Sequence, residues 1–215
     1  GLEGRAYEMM DDVFGFVRER RGVVEGTTHV PEIGVLLSHR HLMGDNMQYF
    51  PDPSVRKQRG WAFEGVSRMF MHHARHYTAL STARLCRRAG EYRVLIVPET
   101  EYLEEKTVAA LGEYVHKGGA LLVTQSETQA GVNEAMLELA GVSHEGFSPL
   151  DYGYFAREGA EPAVAYGHWA RARPIGEAKR LVAAVSPLKA GEGGAKFGHG
   201  LAPAGTDEGY AAAVE

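Results

Sequence analysis

The stretch Glu91–Glu127, EYRVLIVPETEYLEEKTVAALGEYVHKGGALLVTQSE, decides the fold. Val94 to Val97 is a short β-branched apolar run closed by Pro98, the pattern of a strand buried on both faces. From Thr107 onward the apolar residues Val108, Leu111 and Val115 fall at helical spacing. Gly118 and Gly119 supply the left-handed exit a helix needs before the chain turns back. Ala120 to Val123 then reads as a second buried strand. A strand–helix–strand unit of this length closes as a right-handed parallel crossover. The centre of the chain is therefore predicted to be a doubly wound α/β sheet.

Working outward, Tyr7 to Arg21 patterns as an amphipathic helix, with Met10, Val13, Phe14 and Val17 on one face and charges opposite. Glu32 to Ser38 (EIGVLLS) is the first core strand, and His39 to Ser54 a long connection. Connections of that length are more often functional than idle. Val55 to Arg75 is the first crossover helix, with Phe63, Val66, Met69, Phe70 and Ala74 expected to face inward. A short strand over His76 to Leu80, a helix over Thr82 to Arg88 and a helix over Asn133 to Ala140 complete a β-α-β-α-β-α-β-α order, the flavodoxin-like arrangement. Beyond Val142 the periodicity fades. Ala163 to Tyr166 and Leu181 to Val185 are strand candidates, Gly191 to Gly205 a glycine-rich loop, and Gly209 to Glu215 an approach to a strand never delivered. The expected organisation is a linker helix over 1–30, an α/β domain over 31–145 and an irregular, partly extended, truncated remainder over 146–215. The start at Gly1 suggests a piece of a longer protein.

Composition narrows the function. The 215 residues are 44% hydrophobic and 24% charged, which suits a globular core. A net charge of -5 gives no electrostatic pull toward nucleic acid or an anionic membrane. No apolar run approaches the roughly 20 residues of a membrane-spanning helix. Cys86, the only cysteine, rules out an intrachain disulfide and fits a reducing, cytoplasmic setting, without excluding secretion.

In a doubly wound sheet, ligands bind beyond the carboxyl ends of the strands near the switch point. That edge holds His39, Arg40, Gln48, Tyr49 and Glu99, side chains suited to sugar hydroxyls and ring faces. These five are the candidate ligand-binding residues. A nucleophile elbow would set Ser or Cys in a glycine-flanked turn just past a core strand. The matching place, Thr124-Gln125-Ser126-Glu127, has no such glycine. His72 and His76, spaced i, i+4 beside His73, and His39-x-His41 lack the Cys or carboxylate that would complete a zinc set. Gly191 to Gly200 misses the phosphate-loop spacing, and no G-x-G-x-x-G follows the first strand. No catalytic residue, metal or cofactor is assigned.

PEIGVLLS (Pro31 to Ser38), YRVLIVPETEYLEEKTVAALGEYVHKGGALLVT (Tyr92 to Thr124) and LELAGV (Leu137 to Val142) resemble the class I glutamine amidotransferase-like domain behind the catalytic barrel of some glycoside hydrolases. That domain is the β-galactosidase trimerisation domain of family 42 and related enzymes. Phe14 to Val24 looks like the linker that leaves the barrel. The resemblance implies a non-catalytic domain that packs beside a barrel, helps build a homo-oligomer and lends loop residues to a neighbouring sugar site. Two alternatives stand beside it: a free-standing amidotransferase-like hydrolase using Ser126, Glu99 or the histidines, and a sugar-binding module without chemistry.

Overall fold

Residues 4–27, 30, 32–43, 53–100, 103–124, 134–188, 196–197 and 200–215 are described by a computed structural model. Two compact units divide the chain, residues 1–30 and 31–215.

The first unit is one helix, α1 (Gly4–Val24), which buries none of its residues. Met9 and Phe16, Val13, Met10 and Val17, and Tyr7 and Phe14 occupy adjacent rows along it, a broad apolar arc. Asp11, Asp12 and Arg18 lie on the other side, where Arg18 pairs with Asp11 at 3.1 Å. Arg20 lays its guanidinium over the Phe16 ring, 3.6 Å from the centroid.

The second unit is built on β1 (Ile33–Leu36), α2 (His39–Met43), α3 (Pro53–His72), β2 (Thr78–Leu80), α4 (Thr82–Arg88), β3 (Val94–Val97), α5 (Glu105–His116), β4 (Ala120–Val123) and α6 (Glu134–Leu139). The four strands are parallel, in the order β2-β1-β3-β4. The chain thus reverses direction across the sheet between β1 and β3, which sets the switch point there. Strand alternation sends Val35 and Ile96 to one face, against Phe70, Phe63 and Val66 of α3. Leu36, Leu95 and Val97 go to the other, against Leu85 of α4, Leu111 and Tyr114 of α5 and Met136 of α6. Helices on both faces make the sheet doubly wound, as the sequence predicts.

The helix exits follow local chemistry. At the end of α5 the Gly119 N–H donates to Tyr114 O at 3.0 Å and the Gly118 N–H to Val115 O at 2.8 Å. This Schellman closure puts Gly118 at φ 88°. Gly119 has an ordinary φ; it is glycine because a Cβ there would lie 2.5 Å from Cε1 of Tyr114 and closer still to Cζ and Cε2. α3 closes the same way, with the Arg75 N–H on Phe70 O at 2.9 Å and Ala74 at φ 48°. Ala74 is therefore the exposed left-handed exit of the helix, not an inward residue, and Met69 is 45% exposed on its flank.

Ala120 to Val123 also departs from expectation. β4 is an edge strand covered on one side only: Leu121 and Val123 pack toward α5, whereas Leu122 on the α3 side is 49% exposed. A continuous apolar run fits an edge as well as a centre, because position depends on the next strand, and here that strand leaves.

The departing chain enters a second, six-stranded antiparallel sheet in the order β5-β8-β12-β9-β6-β7. Its strands are β5 (Val142–Phe147), β6 (Tyr152–Ala156), β7 (Ala163–Tyr166), β8 (Ala170–Pro174), β9 (Arg180–Pro187) and β12 (Ala204–Val214). A small hairpin, β10 (Lys196–Phe197) with β11 (Gly200–Leu201), precedes the last of them. The final residues accordingly complete an 11-residue strand, not an approach to one. Tyr152, Tyr154 and Val185 pack on one face around Ala202. Both tyrosine hydroxyls hold that residue: Tyr152 Oη accepts from its N–H and Tyr154 donates to its carbonyl. Trp169 and Tyr210 pack over Ala184 on the other face.

Candidate functional site

The carboxyl ends of β1, β3 and β4 form one edge because the three strands are parallel neighbours. His39 and Arg40 open α2, directly past β1, and both are exposed. Glu99 follows β3 and is half-buried. The structure thus brings these three to a common edge; Gln48 and Tyr49 lie outside the described residues, as do Gln125, Ser126 and Glu127 past the end of β4.

The groups most enclosed at this edge are others. Ser38, His41 and Thr100 are all buried. Ser38 Oγ accepts the His41 backbone N–H at 3.2 Å, which starts α2 as a capped turn. Thr100 donates its hydroxyl to Pro98 O. Thr124, at the end of β4, accepts the Glu99 N–H at 3.1 Å and so ties two strand ends together. The hydroxyls here fix the loops that leave the sheet. The sequence signal for them is thin: Ser38 reads as the last residue of a strand, and His41 as half of the His39-x-His41 pair beyond it.

The electrostatics of the edge are mixed. Lys106 hydrogen-bonds Glu104 and holds its carboxyl below the usual range, and the positive charge of Arg40 adds a smaller pull in the same direction. Arg40 and Glu104 therefore sense each other across the β1 and β3 ends. Among the described residues, no three His, Cys, Asp or Glu side chains gather so as to hold a metal ion. His72, His73 and His76 are exposed around the end of α3.

A groove of about 690 Å³ lies at the opposite end of the sheet, lined by Arg87, Tyr92, Arg93, Glu113, Tyr114 and Lys117. Several of its polar groups are engaged structurally, whereas the buried Tyr92 hydroxyl has no hydrogen-bond partner among the described residues. Tyr114 donates toward Tyr92 O and Ala120 O, at 3.1 and 3.3 Å, and Lys117 pairs with Glu113. Arg87 and Lys117 stand at the carboxyl ends of α4 and α5, where cations complement the helix dipole. The groove lies at the helix ends, away from the switch point.

No family model matches the chain, and no curated protein matches it. Solved structures do. An α-L-fucosidase isoenzyme 2 from Paenibacillus thiaminolyticus superposes with a TM-score of 0.68 at 16% identity, over 100% of this chain and 32% of that one. A cold-adapted β-galactosidase from Rahnella sp. R3 gives 0.60 at 11%, over 85% and 29%. An exo-β-1,4-mannosidase from Opitutaceae bacterium strain TAV5 gives 0.57 at 16%, over 84% and 33%. This chain spans about a third of the length of each. At such identities the likeness is one of fold: the chain has the α/β architecture found within these longer glycoside hydrolases.

Proposed function

We propose that this chain is a non-catalytic accessory domain of a larger carbohydrate-active enzyme, a glycoside hydrolase, of the β-galactosidase trimerisation, class I glutamine amidotransferase-like type. Its work in this reading is assembly: it seats a catalytic barrel, contributes to a homo-oligomer and borders a sugar site. The observation that carries the reading is α1. Met10, Val13, Phe14, Val17 and Val24 stand between 44% and 63% exposed along one helix. Covering those five side chains would contribute on the order of 5 kcal/mol before the costs of association. A helix of this kind belongs against another apolar surface. The fucosidase that matches the whole chain, α1 included, is about three times as long, which supports a neighbouring domain as that surface.

The test has two arms. Purified chain should show no turnover of aryl fucosides, galactosides or mannosides; turnover abolished by His39→Ala or Glu99→Gln would overturn the reading. Within the full reading frame, Phe14→Asp with Val17→Asp should reduce glycosidase activity and loosen the enzyme, leaving the fold of residues 31–215 intact by circular dichroism. An unaltered enzyme would count against an assembly role for α1.

The exposed His39 and Arg40 beside half-buried Glu99 at the switch-point edge favour a second reading, a sugar-binding module without chemistry. It predicts a rise in melting temperature with a subset of mono- and oligosaccharides, by mass action. Loss of that rise in His39→Ala and Arg40→Ala would locate the site at the switch-point edge.

A further inference from the structure

The antiparallel sheet ends in two differently made edges. β5 carries Glu145 and breaks register between His144 and Phe147, a charge and a bulge of the kind that keep an edge from pairing. β7 has neither. Its four residues, Ala163-Val164-Ala165-Tyr166, include no charge and no proline, and they pair with β6 without a register shift.

Hydrogen-bond parity fixes what the open side of β7 can accept. The Gly167 N–H donates to Asp151 O at 2.7 Å, so the polar backbone groups of Gly167 face β6. Alternation turns those of Ala165 and Ala163 the same way and leaves the N–H and C=O of Val164 and Tyr166 pointing out of the sheet. An added antiparallel strand must set outward residues opposite outward residues. For a second β7, placing Val164 opposite itself would put Tyr166 against Pro162, which has no N–H. Placing Tyr166 opposite itself would carry Val164 past the end of the strand, to His168. Setting Val164 opposite Tyr166 avoids both and satisfies all four outward groups twice over, about a two-fold axis at Ala165.

We propose that β7 is an assembly edge and that its partner is β7 of a second copy of this chain, antiparallel, with Val164 opposite Tyr166. The side chains agree with the backbone. Val164 is 41% exposed and Tyr166 79%, on the sheet face they share with Tyr152 and Tyr154. The register makes them two identical cross-strand pairs of aromatic with β-branched residue, a favourable combination. An isologous two-fold contact of this sort closes after two copies. The inference gives the homo-oligomer of the proposed reading a specific edge and rests on that part of it; its failure leaves the role of α1 against a neighbouring domain, tested separately by Phe14→Asp with Val17→Asp, where it was.

Two measurements on the full chain test it. With Cys86→Ser as background, Ala165→Cys places a thiol on the two-fold axis at a non-hydrogen-bonded pair, about 4.5 Å between Cα atoms, within the span of a disulfide. It should form a covalent dimer under mild oxidation. Ala163→Cys, whose opposite number is Gly167, should not. Separately, Val164→Pro deletes an outward N–H without touching the ladder to β6, and should weaken self-association in sedimentation at least tenfold with circular dichroism unchanged. A parent chain that stays monomeric over the whole concentration series overturns the proposal. So does equal cross-linking at 163 and 165, which does not depend on how the proline variant folds.

Discussion

Gly118 and Gly119 look alike in sequence but are glycines for different reasons, so replacing each by alanine should separate two kinds of cost. Gly118→Ala meets open space; its penalty is the left-handed backbone at φ 88°, about 1–2 kcal/mol. Gly119→Ala has no backbone penalty, but its Cβ would occupy the edge of the Tyr114 ring. The ring is buried and its hydroxyl reaches Tyr92 O and Ala120 O, so it moves only by giving up those contacts. Overpacking of roughly 1–3 kcal/mol and loss of a buried hydrogen bond of about 1 kcal/mol put the total near 3 kcal/mol. Urea unfolding of the two variants should therefore rank Gly119→Ala as the more damaging. The decisive step is the double variant. Tyr114→Leu removes the obstacle at the cost of a cavity, and in that background Gly119→Ala should cost under about 1 kcal/mol, a coupling expected of residues in direct contact. Additive costs, or a Gly118→Ala effect larger than that of Gly119→Ala, would refute the account of this helix exit.

Two further outcomes follow from burial and charge. Leu111→Ala, at a fully buried position of α5, should lower unfolding free energy by about 2–5 kcal/mol, whereas Leu122→Ala on the open side of β4 should cost less than about 1 kcal/mol; equal losses in urea titrations would contradict the edge position of β4. Arg180 grips Asp207 through two hydrogen bonds of 2.7 and 2.8 Å and, with a smaller contribution from the Gly209 N–H, holds the Asp207 carboxyl below its usual value of 3.8. A depressed carboxyl stabilises the fold above its unfolded pKa, and that contribution disappears as pH falls through the folded pKa. Asp207→Asn should therefore cost up to about 1 kcal/mol near neutrality, as for a solvent-accessible pair, and flatten the acid limb of the stability profile; an unchanged limb would show the pair contributes nothing.

How far the fold was legible follows from what each element asks of its residues. β3, α5 and their crossover were readable because their apolar positions recur at the periods of strand and helix, and because Gly118 marks the exit. The edge position of β4 was not, since ALLV and VLIV are the same signal. The antiparallel sheet was hardest. β12 shifts register against β9 several times and passes through Gly209 at φ 86°, so its inward residues lose the period of two. Many packed positions of the sheet are alanines, such as Ala183 and Ala184 of β9 and Ala211 of β12, which carry little hydrophobic contrast. At the switch point, sequence found the edge through His39, Arg40 and Glu99. It did not separate residues that face solvent from Ser38, His41 and Thr100, which are enclosed, because that difference arises from how α2 folds back on the end of β1.

These particulars bear on what the scaffold is for. A doubly wound sheet that serves chemistry keeps reactive groups available where its strands end. Here Ser38, Thr100 and Thr124 are engaged in holding the turns and strand ends of that edge. Meanwhile the parallel sheet stops at β4 with Leu122 uncovered, because the chain beyond α6 builds a second sheet, and that sheet ends in an unguarded β7. Among the described residues, the hydroxyls of that edge are engaged locally while His39 and Arg40 face solvent, and Leu122 and the apolar arc of α1 are uncovered. Open apolar faces of this kind are what the proposed accessory-domain reading asks of the fold, and that of α1 is the one its mutational test perturbs.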